Sequence, residues 1–414
     1  MTEVYIAGAA MTQFGAFPEL SVFDLVNEAV GDALADAGCD HDQVRGGFYS
    51  GMTNGFFQGQ HSIPGQVNFS RIGLRGIPMF NVESACASGS VAVHLAYQYI
   101  RSGAADIVLV AGGEKMSGGE KAQALSLFES GWDVEHPEAN RASFLQMGSG
   151  VCVPDGFATG DPYSAFMDVY AGMARWHMRT YGTSMEDFAA VSAKNHVHSV
   201  HNNKAQFRMP LTAEQVLGAK PIVYPLTAPM CAPLSDGAAA LVLTSRSGLE
   251  RLSGSSDRVI HVAASVVRSA TARDADDPEQ AVGTLTAAAA YEQAGLGPDD
   301  IDVAEVHDAS AVGEMLQVEN LKLAPRGEAG AWARNGDLSI GGRMPVNPSG
   351  GLESKGHPLG ATGIAQLYEL VQQLRGEAGK RQVGGAQTAI QENGGGVIGV
   401  EEAALAVHIL TRRN

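Results

Sequence analysis

The sequence predicts an α/β layered fold made of two similar halves, with mainly parallel sheets. Short apolar runs typical of strands, such as 107–110 and 303–306, alternate with amphipathic stretches typical of helices, such as Val22–Ala37 and 364–374. A parallel strand pair needs a long crossover connection, which is usually a helix. The alternation therefore indicates helices layered on sheets.

A second observation is a pattern that occurs once in each half. Residues 33–38 (Ala-Leu-Ala-Asp-Ala-Gly) lead through a short acidic turn to a strand that begins near Val44. Residues 291–295 (Tyr-Glu-Gln-Ala-Gly) lead through a similar turn to a strand near Ile301, again six positions after the glycine. Glycine commonly ends a helix. We infer a duplicated fold.

Each half also contains a turn of small residues that opens a helix, at 86–90 and at 356–363. A pseudo-twofold arrangement of the halves would bring these two helix N-termini together. The intervening segment 116–225 breaks the repeat and is rich in Met, aromatic residues and His. We interpret it as an insertion over the first half, where its side chains shape a pocket or simply pack. The expected domains are 1–115 with 226–248, 116–225, and 249–414.

Net charge and hydropathy exclude several classes of protein. The chain has 28 Lys and Arg against 45 Asp and Glu, a net charge of −17, which disfavours binding to nucleic acid or anionic lipid. No apolar run approaches the roughly 20 residues of a membrane-spanning helix. Residues 1–15 lack the basic and apolar pattern of a signal peptide. A cytoplasmic protein is expected.

The cysteines are few and scattered. Cys39, Cys86, Cys152 and Cys231 form no C-x-x-C pair, and no His cluster at metal spacing accompanies them. This pattern argues against a disulfide framework and a structural zinc site. No metal site is predicted.

Cys86 is the candidate nucleophile. A thiol at a helix N-terminus has a depressed pKa, although a cysteine at such a turn is more often structural. His357 lies in the small-residue turn of the other half, where the pseudo-twofold axis would make it face Cys86. It is then a candidate base for generating the thiolate.

Two further segments follow predicted strands and would reach the same crevice. His307 ends the strand near 303–306 and is a candidate hydrogen-bond donor to a substrate oxygen. Residues 393–396 (Asn-Gly-Gly-Gly) offer backbone N–H groups to an oxyanion, beside the carboxylate of Glu392.

Together these motifs resemble those of the thiolase superfamily, in the same order and over about residues 3–410. Three segments resemble the sterol-carrier-protein (lipid-transfer) branch of this superfamily: His307-Asp308, parts of 194–207, and 374–383. The superfamily motifs are 83–89 (Glu-Ser-Ala-Cys-Ala-Ser-Gly), 111–117 (Ala-Gly-Gly-Glu-Lys-Met-Ser), 235–240 (Ser-Asp-Gly-Ala-Ala-Ala) and 347–363.

The resemblance implies a five-layered α-β-α-β-α sandwich and a homodimer, sometimes paired into a dimer of dimers. It makes Cys86 the acyl-accepting nucleophile and His357 the residue that activates it. It places His307 at one oxyanion site and the N–H of Gly394, with that of Cys86, at a second. Acyl-CoA would be the substrate, with no permanently bound cofactor.

The chain departs from the family pattern at the second cysteine. Most thiolases have it two residues before the conserved glycine, where this chain has Glu392. The sterol-carrier branch can place it after His-Asp, where this chain has Ala309. Glu392 is a candidate base if burial raises its pKa, or it only orders the glycine loop. Cys231 is expected to be a packing residue.

Three functions remain open. The leading hypothesis is an acyl-CoA acyltransferase that works through a Cys86 thioester. The alternative is a retro-aldolase (lyase) that cleaves a β-hydroxyacyl-CoA side chain with an OB-fold partner protein. A third is a non-catalytic lipid carrier or scaffold. Basic residues for the CoA phosphates are not identified, although Lys194 and Arg343 are possible ones.

Overall fold

The strands and helices follow the predicted alternation. The computed structural model describes residues 2–118, 121–157 and 162–412. Its strands are β1 Val4–Met11, β2 Gly47–Ser50, β3 Met79–Val82, β4 Ile107–Glu114, β5 Pro221–Val223, β6 Leu226–Thr227, β7 Gly237–Ser245, β8 Ile260–Ser269, β9 Val303–Glu305, β10 Thr388–Ile398 and β11 Glu401–Thr411. Its helices are α1 Val22–Ala37, α2 Asn54–Gln58, α3 Pro64–Ile72, α4 Ser88–Arg101, α5 Lys121–Leu127, α6 Pro137–Met147, α7 Ala165–Tyr181, α8 Met185–His198, α9 Ala213–Leu217, α10 Arg246–Leu249, α11 Val282–Ala294, α12 Ala311–Asn320, α13 Ala329–Asn335, α14 Gly351–Lys355 and α15 Leu359–Arg375.

Nine of these strands are hydrogen-bonded in the order β3-β2-β4-β7-β1-β8-β11-β10-β9. The first five strands lie within residues 4–245, and the last four lie within residues 260–411. The two sets join through a short antiparallel pair, in which Tyr5 is opposite His261 and Ile6 is opposite Ile260. Strands β5 and β6 form a separate hairpin.

The prediction of mainly parallel sheets is wrong. Pairs β2–β3, β2–β4 and β9–β10 are parallel, and the other five pairings in this order are antiparallel. One reason is visible between β10 and β11, where only Gly399 and Val400 connect the two strands. Gly399 has φ 66°, which suits a tight hairpin turn, and a hairpin makes its strands antiparallel.

The buried side chains divide the fold into five layers. Along β4, Ile107 and Leu109 face a cluster with α1, while Val108 and Val110 face a cluster with α4 and α15. The latter cluster continues onto β10 and β11 of the second half, so α4 and α15 lie between the halves. Helices α11 and α12 cover the opposite face of the second half. The predicted α-β-α-β-α sandwich is confirmed.

The two central helices meet at their N-termini, as the pseudo-twofold arrangement predicts. A Cβ added at Gly363 of α15 would lie 2.6 Å from the backbone nitrogen of Ser90 in α4 and 2.5 Å from Asn393 Oδ1. A residue with a side chain at position 363 would therefore push the helices apart. This contact brings the turn of Cys86 next to the turn of His357.

The inserted segment does not lie mainly over the first half, which corrects the prediction. Helices α7 and α8 pack against α12 and α13 of the second half. Met173 and Phe188 share one buried cluster there with Met315 and Trp332. Both the insertion and the second half carry large apolar side chains at this contact. Burying these side chains together removes more apolar surface from water, which explains why the insertion packs there.

The domain boundaries remain a prediction. Of the described residues in 116–225, none joins the nine-stranded order, which fits an insertion. In the described ranges there is no helix with the length and apolar character needed to cross a bilayer.

Candidate active site

Cys86 lies in a short 3₁₀ turn, Ala85–Ala87, between β3 and α4. Ala85 has φ 49°, a left-handed conformation that costs a residue with a side chain about 1 kcal/mol or more. Two side chains hold the turn: Glu83 Oε1 accepts a hydrogen bond from Ala85 N (2.7 Å), and Ser88 Oγ accepts one from Ser84 N (2.8 Å). Cys86 therefore lies on a strained turn that two side chains stabilise.

The fold brings Cys86, His307 and His357 together. The thiol sulfur and one nitrogen of each imidazole all lie within 4.8 Å of one another. The two rings are nearly perpendicular, at 82°, with centroids 5.1 Å apart. This geometry suits proton transfer to and from a thiol. A thiol and two imidazoles are also ligands that zinc prefers, so zinc ions could inhibit the cluster.

The hydrogen bonds of His357 define which of its nitrogens can act as a base. Thr362 Oγ donates to Pro358 O (2.9 Å), so it accepts from His357 Nδ1–H (2.7 Å). In the neutral ring the other nitrogen, Nε2, then carries a lone pair. Within the described part of the chain, Nε2 is buried without a hydrogen-bond partner. It is therefore free to take the proton of Cys86.

The pKa of the Cys86 thiol differs from the value that the sequence predicted, whereas His357 is a neutral base, as expected. Burial raises the pKa of the Cys86 thiol to about 12, and the carboxylates of Glu114 and Glu83 add to this effect. The expected low thiol pKa is thus wrong for the free enzyme, because desolvation outweighs the helix N-terminus. Burial, His307 and Lys355 hold the pKa of His357 well below its usual value, so its ring is a neutral base.

Removing the Thr362 hydroxyl should slow the transfer of the Cys86 proton. We expect Thr362→Val to lower the rate of Cys86 acylation about tenfold, the value of one net hydrogen bond of about 1.4 kcal/mol. The reason is that Nδ1 loses its acceptor and the reactive tautomer is no longer favoured. Rapid-quench mass spectrometry measures the rate, and Thr362→Ser, which keeps the hydroxyl, should restore most of it. Equal rates in wild type and Thr362→Val would contradict this assignment.

A chain of hydrogen bonds fixes the other histidine in a different role. Gln391 Nε2 donates to Ser90 Oγ (2.8 Å), and Ser90 Oγ donates to Asn393 Oδ1 (2.9 Å). Asn393 Nδ2 then donates to His307 Nδ1 (2.9 Å). Because Nδ1 accepts, Nε2 of the neutral ring carries the proton. Burial lowers the pKa of His307 to about 4, so it stays neutral and can donate to a substrate oxygen.

The position of Glu392 is not that of a residue in contact with substrate. Its Oε2 accepts a hydrogen bond from the backbone N–H of His307 (2.9 Å). Among the described residues that line the cavity at Cys86, Glu392 is absent. Burial and the nearby Glu402 raise the pKa of Glu392 well above its usual value. These contacts favour an ordering role, and its role as a base stays a prediction.

The glycine run at 394–396 lies at the cavity, as predicted. A Cβ added at Gly395 would lie 2.9 Å from Cys86 N and closer still to Ser84 O and Ala87 N. Only glycine therefore lets β10 approach the nucleophile turn so closely. The oxyanion role of Gly394 remains a prediction.

The two basic residues considered for the CoA phosphates are engaged elsewhere. Lys194 is buried, where its Nζ lies 3.0 Å from Glu314 Oε1 and donates to Val346 O. The Arg343 guanidinium stacks over the Trp332 ring at 4.3 Å. Lys194 is therefore a structural cation rather than a phosphate contact.

The cavity in front of Cys86 has a volume of about 230 Å³ and a mainly apolar wall. Its lining includes Tyr170 and Glu402, which sequence reasoning missed, and Cys231, which was expected to be a packing residue. Cys231 pairs through its backbone with Ser310 and donates from Sγ to Thr227 O at 3.5 Å. It also packs against the buried cluster of the second half, as expected of a packing residue. Much of the apolar wall comes from the insertion: Met116, Leu125, Phe128, Phe166, Met167, Val169, Tyr170 and Met173.

Comparisons with known protein families agree with the resemblance drawn from the motifs. The family described as "Thiolase, N-terminal domain" matches residues 4–223, and "Thiolase C-terminal domain-like" matches residues 264–411. An "Acetyl-CoA acetyltransferase" from Methanothermobacter thermautotrophicus is 38% identical over 415 residues, which cover 100% of both chains. Human "Sterol carrier protein 2" is 38% identical over 96% of this chain and 71% of its own length.

Solved structures agree on the fold. The Ltp2-ChsH2(DUF35) aldolase superposes with a TM-score of 0.78 at 24% identity, over 99% of this chain and 98% of its own. Human mitochondrial 3-ketoacyl-CoA thiolase superposes with a TM-score of 0.70 at 18% identity, over 100% and 99%. At such identities the likeness concerns the fold alone.

Proposed function

The chain belongs to the thiolase family of acyltransferases, and we propose that it transfers an acyl group from an acyl-CoA through a thioester on Cys86. The reaction is thiolysis of a 3-ketoacyl-CoA or its reverse, C-acylation, in lipid, steroid or acyl-CoA metabolism. The observation that carries this proposal is the free lone pair of His357 Nε2 beside the half-buried thiol of Cys86.

The site residues divide the work as follows. His357 Nε2 takes the proton of Cys86 as the sulfur attacks the carbonyl carbon. His307 Nε2–H donates to the oxygen that becomes negative, and backbone N–H groups of Cys86 and Gly394 serve a second oxyanion. His357 then returns the proton to the leaving group, and an acyl-enzyme remains.

Intact mass spectrometry after incubation with a panel of acyl-CoAs tests the proposal. We expect one acyl group on Cys86, and the preferred acyl chain will show as the fastest adduct. Because the wall of the cavity is mainly apolar, acyl chains longer than acetyl should react well. The absence of any adduct with every acyl-CoA in the panel would overturn acyl transfer.

The pH dependence of acylation follows from the low pKa of His357. Its base form is neutral, so acylation should stay constant as the pH falls through 6.5 and decline only as the pH passes the depressed pKa of the folded protein. Adduct formation by rapid quench between pH 5 and 8, with circular dichroism to confirm folding, measures this. A half-maximal rate at pH 6.5 would mean that His357 titrates as an ordinary imidazole.

A lyase is the second candidate, because Ala309 replaces one possible second cysteine and the fold is similar to that of an aldolase complex. In that case a β-hydroxyacyl-CoA would yield a ketone and a shorter acyl-CoA without consuming free CoA. An OB-fold partner protein would then be required. Product analysis with and without CoA separates the two functions.

We propose a homodimer in the cytoplasm, alone or as a dimer of dimers. Among the described strands β3 is hydrogen-bonded on one side only, to β2, and Phe80 on it is 41% exposed. An apolar edge strand of this kind usually pairs or is covered. The four cysteines are free thiols, which fits a reducing compartment.

Replacing Phe80 should therefore weaken the dimer. We expect light scattering to give about twice the 43.2 kDa chain mass for wild type and a shift towards the single chain for Phe80→Lys. Val134→Lys, at a position that is more exposed and lies in the insertion, is the control and should stay dimeric. A monomeric wild type would contradict the proposal.

A further inference from the structure

One chemical task of the proposed reaction has no assigned residue. C-acylation requires a base that removes a proton from the α-carbon of a thioester, and thiolysis requires the matching acid. Neither family position for a second cysteine holds one, and among the described residues Glu392 does not line the cavity. The acid/base must therefore be another proton-transfer group on the cavity wall.

Glu402 lines the same cavity as Cys86, His307 and His357. It lies on β11 opposite Val397, just after the turn that joins β10 to β11. Gln317 Nε2 donates to its Oε1 at 2.6 Å, which fixes the carboxyl group in one orientation. The residue is half-buried, so part of it is open to the cavity.

The adjacent Glu401 is a carboxylate with a structural role. Its oxygens accept hydrogen bonds from Thr271 N, Arg273 Nε and Val282 N, and the residue is 2% exposed. Glu402 has no comparable set of donors among the described residues, apart from Gln317. Glu401 therefore stabilises the fold, whereas Glu402 faces the cavity.

The glycine loop makes room for Glu402. A Cβ added at Gly394 would lie 2.6 Å from Glu402 Cγ. Gly394 is the residue whose N–H is expected at the second oxyanion site, so Glu402 packs directly beside that site. Tyr170 also lines the cavity, and both Cys86 and Glu402 contribute to raising the pKa of its hydroxyl, so both groups lie near this side chain.

We propose that Glu402 is the catalytic acid/base at the substrate α-carbon, in the place of the missing second cysteine. The inference rests on the proposed acyl transfer. In C-acylation the α-proton of the second acyl-CoA passes to the Glu402 carboxylate. The C–H electron pair forms the new C–C bond to the acyl carbon, and the bond from that carbon to Cys86 Sγ breaks. The proton on Glu402 then returns through His357 Nε2 to the Cys86 thiolate.

In thiolysis the same groups work in reverse. Cys86 gives its proton to His357 Nε2, which passes it on to Glu402, and the sulfur attacks the 3-keto carbon. The C–C bond breaks, and protonated Glu402 gives its proton to the released carbanion. Burial and the neighbouring Glu401 raise the pKa of Glu402, which suits a group that must both bind and release a proton.

Deuterium exchange tests Glu402 separately from acylation. Wild type and Glu402→Gln are incubated with acetyl-CoA in D₂O, and mass spectrometry records both the Cys86 adduct and deuterium in the acetyl group. We expect Glu402→Gln to form the adduct within about threefold of the wild-type rate. Its exchange and condensation rates should fall by about 10² or more, the usual contribution of general base catalysis.

Two further variants make the outcome specific. Glu214→Gln, an exposed carboxylate on α9, should leave adduct and exchange unchanged. Glu392→Gln should slow adduct formation and exchange together, because it supports His307. Unchanged exchange in Glu402→Gln, selective loss of exchange in Glu392→Gln, or no exchange in wild type that forms the adduct would each overturn the proposal. Absence of the adduct in wild type would instead mean that acyl transfer itself is wrong.

Discussion

Cys86→Ala should form no acyl-enzyme and should lose at least about 10⁴ in kcat, which is the scale of removing a covalent nucleophile. The cavity and the oxyanion donors would remain, so substrate should still bind. His357 Nε2 would face a methyl group and have no proton to take. Intact mass spectrometry and steady-state thiolysis are the two measurements.

The control for this experiment is Cys152→Ala. Cys152 is exposed, and within the described part of the chain its Sγ makes a long contact, 3.9 Å, with Val153 O. An exposed thiol can react slowly with a thioester, so removing it should eliminate background labelling without affecting turnover. An acyl adduct that persists in Cys86→Ala and disappears in Cys152→Ala would show that Cys86 is not the nucleophile.

The parts of the site that depend on local sequence were predictable. A cysteine among small residues before a helix and a histidine before a proline identified Cys86 and His357, and the internal repeat predicted that they would meet. How closely the two halves pack is visible only in the fold, where Gly363 allows the contact with Ser90.

Other features depend on distant contacts and had no signal in sequence order. The tautomer of His307 depends on Ser90 and Asn393, which are 303 residues apart. The pKa of Cys86 is raised rather than lowered because burial in the assembled cavity outweighs the helix N-terminus. Glu402 belongs to no motif in the sequence, and only the fold places it at the cavity.

Gly395→Ala should damage both stability and acylation. The added methyl group would approach Cys86 N, Ser84 O and Ala87 N, which are all backbone atoms and cannot rotate away. Overpacking of this kind costs about 1–3 kcal/mol in the free energy of unfolding. We expect the acylation rate to fall about 100-fold, because a displacement of about 1 Å at a nucleophile has that effect. Thermal unfolding and rapid-quench acylation measure the two effects.

The displacement should fall on the nucleophile turn rather than on β10. Strand β10 is hydrogen-bonded to β11 along its length and to β9 at one end, whereas the turn depends on the side chains of Glu83 and Ser88 and already contains the strained Ala85. Gly31→Ala is the matched control. The structure describes no atom within 4 Å of a Cβ at this helical position, so the change should stabilise the fold by about 0.5–1 kcal/mol and leave acylation intact. If Gly395→Ala were as harmless as Gly31→Ala, the close contact between the glycine loop and Cys86 would not exist in solution.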